Sequence, residues 1–411
     1  MSEIILITSF LPDYNIEEIR KNSKGAISNA NSNFQLSILD GFLETQETNS
    51  HLTVFNIPNI GAYPFRYKKI LYKGKKEYYQ NYSITDISFP NIVYLKRNIK
   101  QIILEYHLKK KIRECKEPPI IFTYDLDRSF IKSLENIKKL GYKFLSINII
   151  PDLPGMTGTV NHWLYKKFIK AGKPNKTNLS IYDGFILLSE YMKYPLQIQD
   201  QPSIVMEGIF SDKQTDITYK PENSNDRKRY ILYTGALDTR NGILNLLEAF
   251  RMISDPNINL VLCGDGDLKS HIESISIKEQ RIKYLGQVSR SEAIKLQKKA
   301  FLLINPRLPS EEFASYSFPS KTLEYMASGT PLLMYKLKSM PEEYIPYIHF
   351  PKNESVEALA EKIKNLLDTN DNDLKRQGEQ AKEFIINNKN ASKQISRLKE
   401  FAKSLYSKKF G

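Results

Sequence analysis

Ser320, Lys321 and Glu324 lie in a short stretch, SKTLEYMASG, that reads as one helix. Pro319 suits the first turn of that helix, because the N–H it lacks would be unpaired there anyway. Ser317 and Ser320 are both capping residue types. Gly329 falls where a left-handed C-terminal cap belongs, and Pro331 prevents continuation. On such a helix Lys321, Glu324 and Ser328 share a face. The N-terminus offers unpaired N–H groups to an anion, and Lys321 adds charge in the first turn. Glu324 stands about 6 Å further along the axis. That is the step from a diphosphate to its ribose, and a carboxylate there can accept hydrogen bonds from two vicinal hydroxyls. The pattern suits a nucleoside diphosphate held phosphate-first. It also suits an ordinary capped amphipathic helix with solvated charges.

Other candidates sit at the ends of expected strands, where open α/β sheets collect ligands. Gly235 and Gly242 bound a tight loop whose only cation is Arg240. Gly264-Asp265-Gly266-Asp267 is a second such turn, and Arg307 closes the strand at 300–305. Asp125, Asp127 and Asp152 also follow strands, where turn or capping roles compete with chemistry. His162 and Trp163 fall in a 157–176 segment that reads as a loop and helix.

The elements that must position these residues alternate. Apolar strands are expected at 3–9, 51–57, 119–124, 142–150 and 182–188, and again at 229–234, 259–263, 282–285, 300–305 and 332–334. Helices fall between them, at 34–42, 130–140, 243–252 and 291–299, with 356–367 and 374–406 near the end. Alternation in both halves predicts an α/β protein of two doubly wound domains. A polar, Pro-interrupted run at 211–228 separates residues 1–210 from 229–385, and 386–411 forms a final helix.

Lysine and arginine outnumber aspartate and glutamate by 60 to 46, giving a net charge of +14 and favouring anionic partners. Two basic regions carry much of this. Arg66 to Tyr79 interleaves six cations with four tyrosines. Lys96 to Lys116 places Ile99, Ile102, Ile103 and Tyr106 at helical spacing among cations. A solvated surface and an anionic membrane or lipid-pyrophosphate contact both fit. Single-stranded nucleic acid fits less well, for no RNA-binding module accompanies the tyrosines. The two cysteines, Cys115 and Cys263, are far apart and lack a CxxC partner, which points to a reducing cytosol without structural zinc. No apolar run is long enough for a signal peptide or a membrane span.

The segment NPR…EEF…YSFPSKTLEYMASGTPLL resembles the nucleotide-sugar site of family 4 glycosyltransferases, retaining enzymes of GT-B fold. It is most similar to the branch that builds bacterial capsular and exopolysaccharides. The resemblance implies two Rossmann-like domains facing a central cleft, with the last helix crossing back to the first domain. It implies Glu324 as the ribose ligand, with Ser320 and Lys321 at the phosphates. Gly25, Gly235 and Gly264 would line the donor, Arg240 and Arg307 would meet the diphosphate, and the base would lie near Val288. Asp152, in a strand–DLP loop, would face the acceptor. Asp127 stands where family members often have histidine, and these two aspartates are the catalytic candidates. Three positions depart from the wider family's pattern: Tyr316 replaces a second glutamate, and Ala236 and Asn241 replace an arginine and a lysine.

The expected function is transfer of a hexose from a nucleoside-diphosphate sugar to a lipid-linked or growing oligosaccharide acceptor, with retention. The enzyme would be cytoplasmic, peripheral on the inner face of the plasma membrane, and would need no metal or further cofactor. A nucleotide-sugar epimerase and a non-catalytic subunit partnering an active transferase are the alternatives.

Overall fold

The computed structural model describes residues 3–25, 29–47, 51–153, 179–211 and 229–411. The expected 157–176 segment with His162 and Trp163, and the 211–228 run beyond its first residue, lie outside the described residues. The chain divides into two compact units. The first comprises Met1–Glu207 with Ala391–Gly411, and the second Gly208–Asn390.

The first unit is built on β1 (Ile4–Thr8), β2 (Leu52–Asn56), β3 (Leu71–Tyr72), β4 (Lys76–Tyr78), β5 (Tyr82–Asp86), β6 (Phe89–Pro90), β7 (Ile120–Tyr124), β8 (Leu145–Ile150), β9 (Gly184–Leu187) and β10 (Ser203–Val205). Eight of these form one sheet, ordered β10-β9-β8-β7-β1-β2-β5-β4, and β3 pairs with β6 as a small ribbon. Only β4 runs antiparallel in the large sheet. Segments such as IILIT and LSINII are buried almost throughout, as strands covered on both faces must be.

Several features differ from expectation. The strand β5, YSITD, was not anticipated, because it carries too few apolar residues to read as one. It ends in Asp86, buried beneath the Tyr14 and Tyr72 hydroxyls and the Asn56 amide, all of which donate to its carboxylate. The helix expected at 34–42 runs from Asn29 to Glu44. The helix Lys96–Glu114 forms where expected, but its buried face is Lys100, Leu104, Leu108 and Ile112. Ile102 and Tyr106 of the apolar spacing point to solvent.

The helical run expected at 374–406 breaks at Lys389-Asn390 into Asp371–Asn388 and Ala391–Phe410. The later helix packs on Asn29–Glu44 and the sheet of the first unit. A Cβ at Gly41 would lie 2.4 Å from Ile395, and one at Gly184 2.6 Å from Leu405. Those glycines are the flat surface on which the helix rests.

The second unit holds β11 (Arg229–Thr234), β12 (Ile258–Cys263), β13 (Ile282–Gly286), β14 (Leu302–Asn305) and β15 (Leu332–Met334), all parallel, in the order β13-β12-β11-β14-β15. Side chains alternate across the sheet. Ile231, Leu260 and Leu262 enter one core with the helices Ile243–Arg251 and Val356–Leu367, and Leu232, Val261 and Cys263 enter another with Ser320–Ala327 and Asp371–Asn388. The strand order reverses between β11 and β14. Ligands of doubly wound sheets bind at the carboxyl ends of the strands at this switch point.

Candidate donor site at the carboxyl end of the second sheet

The loops after β11 and β12 are locked together by glycine. Gly264 has φ +141°, and a Cβ on it would lie 1.8 Å from the Gly235 carbonyl oxygen. Gly242 has φ +74°, and a Cβ there would lie 1.9 Å from the Pro306 carbonyl oxygen. Only glycine permits both the left-handed backbone and the contact. Backbone bonds continue the seam, from Gly235 N–H to the Cys263 carbonyl at 3.0 Å and from Gly264 N–H to the Gly286 carbonyl at 2.8 Å. Val288, two residues beyond β13, packs partly buried against the core beneath the helix Ser320–Ala327.

Arg240 and Arg307 converge from these loops. Arg240 lies in a short turn, Thr239–Asn241, capped by Asp238, whose carboxylate lies 3.8 Å away. Arg307 follows β14 and donates to Ser317 Oγ at 3.4 Å and to Asn241 Oδ1 at 3.3 Å. Both guanidinium groups lie over the Phe313 ring. Sequence reasoning gave no role to Phe313. Asn241, where the wider resemblance expects a lysine, positions an arginine instead.

The helix Ser320–Ala327 begins after Pro319, which sits just outside the helix as the cap residue and not in its first turn. No side chain caps this N-terminus, and Ser317 accepts from Arg307 instead. Ser320 is exposed at the first position. The helix stops as expected, with Gly329 at φ +79°.

Glu324 is largely buried, and Lys321 and Gln297 both donate to its Oε1. Lys321 donates to it at 2.9 Å and Gln297 Nε2 at 2.6 Å. Burial alone pushes its pKa upward. The Lys321 charge, the hydrogen bonds from Gln297 and Lys321, and the Arg290 charge outweigh that, so the net direction is down and the group stays ionised. Gln297 is itself buried and also donates to Thr234 Oγ1 at 3.2 Å. Thr234 ends β11 and bonds the Tyr325 hydroxyl through its N–H and its carbonyl. Glu324 is thus tied through Gln297 and Tyr325 to the strand end from which the Arg240 loop departs. Nothing in the sequence marks Gln297, since a glutamine on a helix has no motif of its own.

Gly235, Arg240, Gly264, Val288, Arg307, Ser320, Lys321 and Glu324 therefore belong to one end of one sheet. Gly25, Asp127 and Asp152 belong to the first unit. Gly25 has φ +117° in a turn with open space beside it. Asp127 caps the helix Arg128–Lys139, accepting from the Ser129 N–H at 2.7 Å and hydroxyl at 2.5 Å. Beside it Asp125 adopts φ +67°, and burial raises its carboxyl pKa. Asp152 follows β8 and contributes, after burial and Asp125, to raising the Tyr124 hydroxyl pKa.

Residues 214–384 match the family described as Glycosyl transferases group 1. The matched stretch is a glycosyltransferase domain. Solved structures resemble the whole chain. Sucrose-phosphate synthase from Thermosynechococcus elongatus aligns over 99% of this chain and 100% of its own, with a TM-score of 0.62 and 16% identity. A trehalose-6-phosphate structure from E. coli bound with UDP-2-fluoro glucose covers 97% and 99%, with a TM-score of 0.63 and 10% identity. The lipopolysaccharide outer core galactosyltransferase WaaB covers 98% and 99%, with a TM-score of 0.59 and 15% identity. The fold is GT-B. At these identities the likeness concerns the fold alone. No curated protein sequence matches the chain. Among the described residues, no helix is long and apolar enough to cross a membrane.

Proposed function

We propose that the chain transfers a hexose, with retention of anomeric configuration, from a nucleoside-diphosphate sugar to a lipid-linked or growing glycan in cell-surface polysaccharide synthesis of the capsular or exopolysaccharide kind. One observation carries the donor half of this reading. Glu324 is a largely buried carboxylate fixed through Oε1 by Lys321 and Gln297, one turn inside a helix whose start has no side-chain cap. That arrangement holds a carboxylate ready for the ribose hydroxyls and leaves the helix N–H groups to the diphosphate. A GT-B neighbour bound with UDP-2-fluoro glucose supports a sugar nucleotide as the ligand class.

In this reading Arg240, Arg307 and Lys321 stabilise the departing diphosphate, where negative charge develops. Arginine forks match phosphate oxygens in pairs, and the reading assigns no step to a divalent metal. Gly235, Gly264 and Ser320 bring backbone close to the phosphates, and the base lies near Val288. Asp152 and Asp127 are the acceptor-side candidates, with Asp127 already engaged at a helix start. The capsular assignment rests on the resemblance of YSFPSK and its neighbours.

The test is calorimetric titration of UDP, GDP and dTDP into the protein and into Glu324→Ala, with and without EDTA. Micromolar binding of one diphosphate, lost in the variant and indifferent to EDTA, supports the reading. If none binds to folded protein, a non-catalytic partner subunit becomes the better account. A changed sugar formed from donor alone would favour an epimerase.

A further inference from the structure

The carboxyl end of the first sheet holds a buried hydroxyl that the described residues leave unused. Tyr124 ends β7 and is 1% exposed, and its hydroxyl has no hydrogen-bond partner among the described residues. Buried polar groups are nearly always paired, because an unpaired one keeps the full cost of losing water. Its neighbours are Asp125, next in the chain, and Asp152, two residues beyond β8. Burial first, and then the charges of these two carboxylates, push the phenol pKa well up, so the hydroxyl is directed at the pair without bonding either. Phe34, half-buried on the helix Asn29–Glu44, meets the Tyr124 ring edge-on with centroids 6.2 Å apart.

Asp125 is fixed through its N–H, its carbonyl and one carboxylate oxygen. Its backbone is left-handed at φ +67°, which costs a non-glycine residue energy, although aspartate tolerates it better than most. The N–H donates to the Ile149 carbonyl at 2.8 Å, and the carbonyl accepts from Asn148 Nδ2 at 3.0 Å. Asn148 is fully buried and also donates to Thr123 Oγ1 at 2.9 Å. The Asp125 carboxylate accepts one bond, from the Leu126 N–H to Oδ1 at 2.6 Å, and no other described residue bonds it. Asp127, by contrast, commits its Oδ1 to the Ser129 N–H and hydroxyl.

The chemistry of this cluster selects its ligand. A phosphate would accept from the Tyr124 hydroxyl but meet two carboxylates of like sign. An ammonium would suit the carboxylates but could not accept from the phenol. An alcohol does both, since one hydroxyl donates to a carboxylate while accepting from a phenol. A sugar ring presents adjacent hydroxyls to the carboxylates and a C–H face to an aromatic edge such as Phe34. We propose that Tyr124, Asp125 and Asp152 bind adjacent hydroxyls of the acceptor's terminal sugar, that Asp125 rather than Asp127 is the carboxylate that touches it, and that this sugar carries no phosphate on those hydroxyls. Its role as an acceptor site rests on the transferase reading. Its residues all belong to the first unit, so sugar binding can be measured apart from the donor.

Saturation-transfer NMR titration of the full chain with the methyl glycosides of glucose, galactose, mannose and rhamnose tests it. At least one glycoside is expected to bind, and excess inorganic phosphate does not displace it. Tyr124→Phe and Asp125→Asn each weaken that binding by about tenfold or more, and Asp127→Asn by less than Asp125→Asn. Phenylalanine fills the place of the tyrosine ring, and asparagine keeps the left-handed backbone. Tyr124→Phe leaves the denaturation midpoint unchanged or raised, because the hydroxyl it removes is unpaired, whereas a structural hydroxyl would lower it. The proposal is overturned if no glycoside binds the folded wild type, if either variant binds as the wild type does, if Asp127→Asn loses as much as Asp125→Asn, if phosphate displaces the sugar, or if Tyr124→Phe is less stable. Titration of the wild type with UDP, GDP and dTDP scores the donor reading separately. Failure of every diphosphate to bind leaves the glycoside result standing, and failure of every glycoside while a diphosphate binds overturns this proposal alone.

Discussion

Arg240 and Arg307 hold their guanidinium groups over one ring, that of Phe313, at 5.7 and 4.8 Å from its centroid. They arrive from different loops, on the two sides of the switch point between β11 and β14. Two like charges gathered at one ring repel each other, and an anion reached by both would relieve that repulsion. Arg307→Ala and Arg240→Ala are each expected to weaken binding of UDP, GDP or dTDP, whichever binds, by about 2 kcal/mol, the scale of a charge-assisted hydrogen bond. Arg307→Lys restores little, because lysine lacks the planar fork. Isothermal titration measures all three, and the double variant falls short of the sum if the residues share one ligand.

Glu324→Ala is expected to cost about 2–4 kcal/mol of donor affinity, since a buried site built for hydroxyls leaves them unpaired when the carboxylate goes. The pH dependence has a definite sign. The folded-state pKa of Glu324 is lowered, so the carboxylate persists as pH falls through the ordinary glutamate range and is lost only below it. Gln297→Leu removes one of the bonds that lowers it. Titrations at a series of pH values should find affinity failing at higher pH in that variant than in the wild type.

Asp127 offers a clean separation of structure from chemistry. Asparagine caps a helix about as well as aspartate, and alanine does not. Asp127→Ala is expected to lose about 1 kcal/mol of stability in a denaturant melt, and Asp127→Asn little. If transferase activity follows stability, the residue is a cap. If Asp127→Asn folds normally and loses activity, its charge works on the acceptor.

Asp86 predicts an acid-side trend in the first unit. Burial is the largest cause raising its pKa, and hydrogen bonds from Tyr14, Tyr72 and Asn56 offset part of it, leaving it at about 6. The folded state therefore holds this proton more tightly than the unfolded chain. Between about pH 4 and 6 Asp86 lowers stability as pH rises, by about 3 kcal/mol across the window. Chemical denaturation at stepped pH should show that slope, and Asp86→Asn should flatten it.

The sequence was most legible where apolar runs are long and bounded by glycine or proline. Every strand of the second sheet, the stop at Gly329 and the β11 loop lay within a few residues of the expected places. Periodicity carried less where polar residues are buried. The strand β5 hides because Thr85 and Asp86 are interior, and the helix Lys96–Glu114 was read on the wrong face because Lys100 is buried while Ile102 and Tyr106 are not. Residue type and spacing singled out Glu324, Lys321 and the two arginines. The partners that orient them, Gln297, Asn241 and Phe313, come from other elements, and only three-dimensional packing joins them.

The helix Ala391–Phe410 has a consequence for synthesis. It lies over Gly41 and Gly184, yet the ribosome makes it after the whole of the second unit. While those residues are still being translated, the first unit has an uncovered apolar flank along Asn29–Glu44 and β9. The second unit emerges with all its strands in order and can close as it leaves the exit tunnel. The unit begun first is thus completed last, and a nascent chain stopped anywhere before the final helix would present that flank to chaperones.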